Sequence, residues 1–176
     1  MLDEQPGSHR HNIDRLEMQP RDDARADDVE SCERAFRAGG VVAVLRCLNA
    51  RTRFRYTAVY RADPPMLRTI EIFDRENPTL SLSSEVTPLR ETYCGLTRDT
   101  NASFQTEDAM SDIRLANHPA RESVLSYCGT PIRLASGRVW GSVCHFDVRP
   151  RLISAGGLAF LESVAPHFAR WLDLPA

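Results

Sequence analysis

Cys94, Cys128 and Cys144 are the residues of this chain with the readiest chemistry, because a thiol becomes a nucleophile or a metal ligand wherever its surroundings favour the thiolate. With Cys32 and Cys47 they make five cysteines, an odd set with no Cys-x-x-Cys pair and no secretory signal ahead of it. That pattern argues against a disulfide framework and for a reducing cytoplasm. A free cysteine serves equally well as a small buried apolar residue. A metal site would need His118, Cys128, Cys144 or His145 to converge, and their positions offer no paired ligand spacing, so none is expected.

Other chemistries are excluded more firmly. All 22 basic residues are arginine, which removes Schiff-base chemistry, pyridoxal phosphate attachment and the phosphate-binding P-loop lysine. There is no Gly-x-Ser-x-Gly elbow and no local Ser, His, Asp signature, so no catalytic residue is assigned. The net charge of -2 and the scattered arginines give no stripe able to neutralise a run of phosphates, so no nucleic-acid partner is expected. The longest apolar run, Val41 to Leu45, is far too short to cross a bilayer.

A binding reading fits the residues better. Tyr93, Cys94, Asp108, Arg121, Tyr127 and Cys144 combine an arginine fork and a carboxylate acceptor with aromatic and thiol walls, a set suited to a small polar ligand. The plainer reading of each is structural: Asp108 capping the next segment, Arg121 in a surface pair, the tyrosines in the core.

The elements that must position these residues follow from periodicity. Residues 1–28 are rich in Asp, Glu, Arg, Pro and Gln, too polar to offset the entropy of ordering, and read as a mobile arm or a short helix that orders on a partner. Val29, Cys32, Ala35 and Phe36, then Val41, Val44, Leu45 and Leu48, give helical spacing broken at Gly39-Gly40: two short helices or one bent one. Phe54 to Arg61 alternates with a period of two and pairs with Met66 to Phe73 across Asp63-Pro64-Pro65. Asp74 to Pro88 is a polar excursion, and Leu89 to Leu96 reads as a short helix ending near Gly95.

Further on, Ala102 to Glu107 reads as a strand. Pro119 opens a helix whose body is Arg121 to Leu125, and Tyr127 to Leu134 forms a hairpin with Val139 to Asp147. Within the last strand Trp140, Cys144 and Phe146 are expected on one face, with His145 on the other. Leu158, Leu161, Ala165, Phe168 and Leu172 mark a closing helix that Pro166 interrupts. The order is that of an α+β domain built on an antiparallel sheet, not of a βαβ repeat.

Four segments carry a resemblance to a known family: Thr92-Tyr93-Cys94-Gly95-Leu96, Ser103 to Asp108, Ser126-Tyr127-Cys128-Gly129-Thr130-Pro131-Ile132, and Gly141-Ser142-Val143-Cys144-His145-Phe146-Asp147 followed by Arg149-Pro150-Arg151. In their order and spacing they resemble the GAF domain family over roughly Val29 to Leu172. The resemblance implies a central antiparallel sheet of five or six strands, terminal helices on one face and a pocket-covering helix or loop segment on the other, with residues 29–174 as one GAF-like domain.

The resemblance also frames the function. It implies a stand-alone small-molecule-sensing or regulatory domain in signal transduction, which relays an unidentified small molecule to a separate partner protein, with a possible homodimer through the terminal helices. It singles out no cofactor. A thiol-based reductase of a small sulfoxide is an alternative, although the position aligned with that enzyme's reactive cysteine, near Ala120, has none. A ligand-free dimerisation or docking module is another. A bilin anchored at Cys144-His145 is disfavoured, since adjacent strand residues face opposite sides.

Overall fold

The computed structural model describes the backbone of residues 19–27 and all of residues 28–79 and 85–174. Its first element, α1 (Gln19–Asn49), leaves helical geometry at Gly39 and Gly40 (φ 65°). Fifteen residues of straight helix would separate Cys32 from Cys47 by about 22 Å, whereas their sulfurs lie 3.9 Å apart. The chain therefore doubles back, and α1 is a helical hairpin of two antiparallel arms. Its first arm takes in residues 19–28, part of the stretch read above as a mobile arm or a short helix that orders on a partner; the Ala and Arg residues there are good helix formers. Residues 1–18 of that expected arm lie outside the described residues.

Six strands follow in one antiparallel sheet: β1 (Tyr56–Asp63), β2 (Met66–Asp74), β3 (Val86–Pro88), β4 (Phe104–Thr106), β5 (Ser126–Arg133) and β6 (Val139–Asp147). Their spatial order is β3-β2-β1-β6-β5-β4, so β1 and β6 pair at the centre with Ala58 opposite Cys144 and Tyr60 opposite Ser142. β3 was not legible in the polar excursion, part of which, residues 80–84, lies outside the described residues. Between β3 and β4 stands α2 (Tyr93–Thr100); α3 (Gly157–Val164) and α4 (His167–Trp171) close the chain on either side of Pro166.

The two faces of the sheet carry separate cores. On one, the second arm of α1 packs Val44, Leu45 and Leu48 against Leu161, Val164 and Phe168 of the closing helices and Val59 and Val143 of the sheet. Asn49 ties this layer down: its Nδ2 donates to Phe54 O (3.1 Å) and Thr57 Oγ1 (2.9 Å), and its Oδ1 accepts from Arg75 Nε (2.9 Å). On the other face, Ala58, Leu67, Ile72, Tyr127 and Cys144 meet Leu89, Tyr93 and Cys94 of the covering segment.

Three local expectations need correction. Leu89 to Leu96 is not one helix: a 3-10 turn, Leu89–Glu91, ends at Thr92, whose side chain accepts from Gly95 N and starts α2, which runs through Gly95 to Thr100. Gly95 is needed there for close approach, since a Cβ would stand 2.5 Å from Leu89 O. The helix expected over Arg121 to Leu125 is instead one 3-10 turn, Pro119–Glu122, with Pro119 at its start and His118 Nδ1 accepting from Ala120 N. Trp140 does not share a face with Cys144. Ile132 pairs with Gly141 and Arg133 with Val139, so Trp140 is the extra residue of a bulge and packs with the helical core.

Candidate functional site

The site begins with a strand that makes room for its own side chain. At Gly129 an added Cβ would lie 2.2 Å from the Tyr127 hydroxyl, so only the bare backbone lets the Tyr127 ring lie along the sheet. Thus placed, Tyr127 Oη comes within 3.4 Å of Cys94 Sγ and 3.3 Å of Thr97 Oγ1, both on α2. Tyr93 stands edge-on to it, with ring centroids 5.5 Å apart at 69°, and its hydroxyl donates to Val124 O (3.2 Å). The cap at Thr92 sets this register, because it fixes which turn of α2 carries Tyr93 and Cys94 down onto the sheet.

Between this cover and the sheet lies a cavity of about 240 Å³. Tyr60 of β1 and Cys144 and Phe146 of β6 line it from the sheet, and Tyr93, Cys94 and Ala120 from the cover. Glu85 and Glu91 line it on the β3 side. The volume is a little under the ~300–1,000 Å³ of pockets for drug-sized ligands, which limits an occupant to a small metabolite.

Burial governs the electrostatics. It pushes the Tyr60 and Tyr127 phenols well above their usual range, and the neighbouring Cys94 and Cys144 thiols push the same way. Tyr93 is pushed up to about 12, again by burial first. Cys144 is driven up by its complete burial. Cys94 moves the other way, because the adjoining Cys144 thiol, with help from Ser142 and Tyr127, outweighs burial. Ser142 Oγ is buried beside it without a well-formed hydrogen bond, and so is free to turn toward the sulfur.

Of the six residues singled out for binding, the fold therefore brings Tyr93, Cys94, Tyr127 and Cys144 to one cavity. Asp108 and Arg121 lie elsewhere. Asp108 Oδ1 accepts from Met110 N (3.0 Å) and borders a larger, more open cleft of about 870 Å³ between the outer edge of β4 and the start of α3. Arg121 braces the loop before it, donating from Nε to Ala109 O (3.1 Å) and from its terminal nitrogens to Ala116 O and Met110 O. Tyr60, Glu85 and Ser142 were missed. Tyr60 and Ser142 were readable only as sheet residues two positions from Ala58 and Cys144, and Glu85 carried no signal at all.

Of the remaining reactive types, His118 stands on the cavity side, its ring 4.7 Å from that of Tyr93 and its pKa lowered first by burial, whereas Cys128 and His145 lie across the sheet. Cys128 is packed in the helical core and raised to about 12 by burial. His145 is buried, its pKa lowered to about 4 first by burial and then by Arg75, with Nδ1 2.7 Å from Thr57 Oγ1. Among the described residues no three His, Cys, Asp or Glu side chains converge on a common point.

No family model matches the sequence, and no curated protein matches it significantly. Solved structures do match in shape. The GAF domain of a phosphoenolpyruvate-protein phosphotransferase from Acinetobacter aligns with a TM-score of 0.63 at 14% identity, over 85% of this chain and 93% of that one. Free methionine-R-sulfoxide reductase from Neisseria meningitidis, in complex with its substrate, gives 0.63 at 14% identity over 88% and 92%. The type II enzyme from Thermoplasma acidophilum gives 0.57 at 17% identity over 80% and 94%. The chain has the fold of a GAF domain: six antiparallel strands, terminal helices on one face and a covered cavity on the other.

Proposed function

We propose that the chain is a small-molecule-sensing or regulatory domain acting in signal transduction, with its ligand seated between the sheet and the cover formed by α2 and the Pro119–Glu122 turn. The observation that carries this reading is the cavity itself, which the fold leaves under a cover of short elements while the opposite face is solidly packed. A ligand that favours one arrangement of the cover over another shifts the population of the two, and a partner reading that cover senses the shift. The five free cysteines fit a cytoplasmic protein. Among the described residues no helix is long and apolar enough to cross a membrane.

The test is a thermal-stability screen of a metabolite library on the wild-type chain and on Ala120→Phe, which places a ring in the cavity. A ligand at a hundred times its Kd stabilises the fold by about 2.7 kcal/mol, so true binders raise the wild-type Tm by several degrees and leave the variant unmoved. Ligands that raise both equally bind elsewhere. A library without effect on either shifts the reading to a ligand-free docking module. A homodimer in that case needs a surface other than the apolar stripes of the terminal helices, which pack within the chain.

The adjacency of Cys94 and Cys144 favours one second reading, a thiol-based reductase of a small sulfoxide. Attack by the Cys94 sulfur releases the thioether and leaves a sulfenic acid. Cys144 then condenses with it to a disulfide, losing water, and an external dithiol returns both thiols. Turnover of a sulfoxide with dithiol, abolished in both Cys94→Ser and Cys144→Ser, supports this; full activity in either variant excludes it.

A further inference from the structure

The cavity is unusual in what it lacks. Among the described residues that line it, the only charged side chains are two carboxylates, Glu85 and Glu91. Glu91 has a partner in Arg90, 3.6 Å away and mostly in solvent. Glu85 has no ion-pair partner among the described residues. Arg121, expected as a donor fork for a small polar ligand, spends its donors on the carbonyls of its own loop. An anionic ligand would meet repulsion here and no compensating donor fork.

The walls complement that charge. Tyr60, Tyr93, Tyr127 and Phe146 line the space, with Tyr93 and Tyr127 in edge-to-face contact at 69° and His118 packed on Tyr93. Aromatic faces carry negative quadrupole potential and hold a cation within about 6 Å of the ring centre. All three phenols are un-ionised at neutral pH, and burial raises them further, so their rings act on a cation through the quadrupole and through desolvation.

We infer that the ligand of this cavity is a small organic cation, an ammonium or quaternary ammonium compound with a short apolar body, its charged head held among the aromatic residues that line the space and Glu85. The inference rests on the sensing reading above and narrows it to one class of ligand, and it differs from the small polar ligand held by Arg121 and Asp108 that the sequence suggests. The cavity volume of about 240 Å³ excludes bulky cations and leaves room for compounds on the scale of choline.

The experiment uses calorimetric titration of the full chain with tetramethylammonium, choline and phenethylamine, each beside an uncharged isostere in which carbon or oxygen replaces the nitrogen. The same titrations are made on Glu85→Gln, an exposed position where the change leaves the fold intact, and on Ala120→Phe. At least one cation is expected to bind about tenfold or more tightly than its isostere, with the ratio reduced in Glu85→Gln and all binding lost in Ala120→Phe. A cation and isostere of equal affinity, both blocked by Ala120→Phe, overturn the cation while leaving the sensing cavity in place. So does a library ligand that binds where every ammonium compound fails. If nothing binds, cation or otherwise, both readings fall together.

Discussion

His145 is the residue whose protonation the fold opposes most directly. It is buried and neutral, and its pKa is lowered from 6.5 to about 4 by burial first and by Arg75 second. The unfolded chain therefore binds the proton at a pH where the folded chain does not. Stability rises with pH through that window, and is lost as pH falls from about 6.5 toward 4. The difference amounts to about 3 kcal/mol at about 1.36 kcal/mol per pH unit. Asp74 and Asp112, held below the usual carboxylate range by Arg55 and Arg114, lose their contributions only at lower pH. Urea unfolding from pH 7 to 4 should show a marked fall in stability for the wild type and a shallow one for His145→Gln. Equal slopes would show that another group titrates in that window.

At the scale of elements, what could be read in advance depended on period. β1, β2, β5 and β6 were legible because alternate residues such as Ala58 and Tyr60 face one core while Thr57 and Val59 face the other. The cover was not, because 3-10 turns of three or four residues have too little length to show a repeat, and their stops are set by single contacts. Thr92 is such a stop, and Gly95 inside α2 is such a contact, its missing side chain admitting Leu89 O. Trp140 shows the same limit in a strand: alternation assigns it to the face of Cys144, and one bulge sends it to the other. Asp108 and Arg121 have the right chemistry for a ligand, but their nearest partners are backbone groups of their own loop. Gly95→Ala forces the 3-10 turn away from α2 and should cost about 1–3 kcal/mol, read by chemical denaturation, together with the contact of Cys94 with Tyr127.

Across the whole molecule, the sheet separates a helical core from the half that holds the cavity. Phe168 is fully buried among α1, α3 and α4, on the face away from the cavity. Phe168→Ala should destabilise the chain by about 3–5 kcal/mol, yet the molecules that remain folded should bind any cavity ligand with unchanged affinity. Parallel changes in stability and affinity would mean that the two faces act as one unit. A small molecule held between the sheet and its cover is detected by native mass spectrometry of the freshly purified chain and of Ala120→Phe, each beside its denatured mass. The native wild type should carry a discrete extra mass that disappears on denaturation and never appears on the variant. An extra mass carried equally by Ala120→Phe would contradict this, because the ligand would then sit outside the cavity.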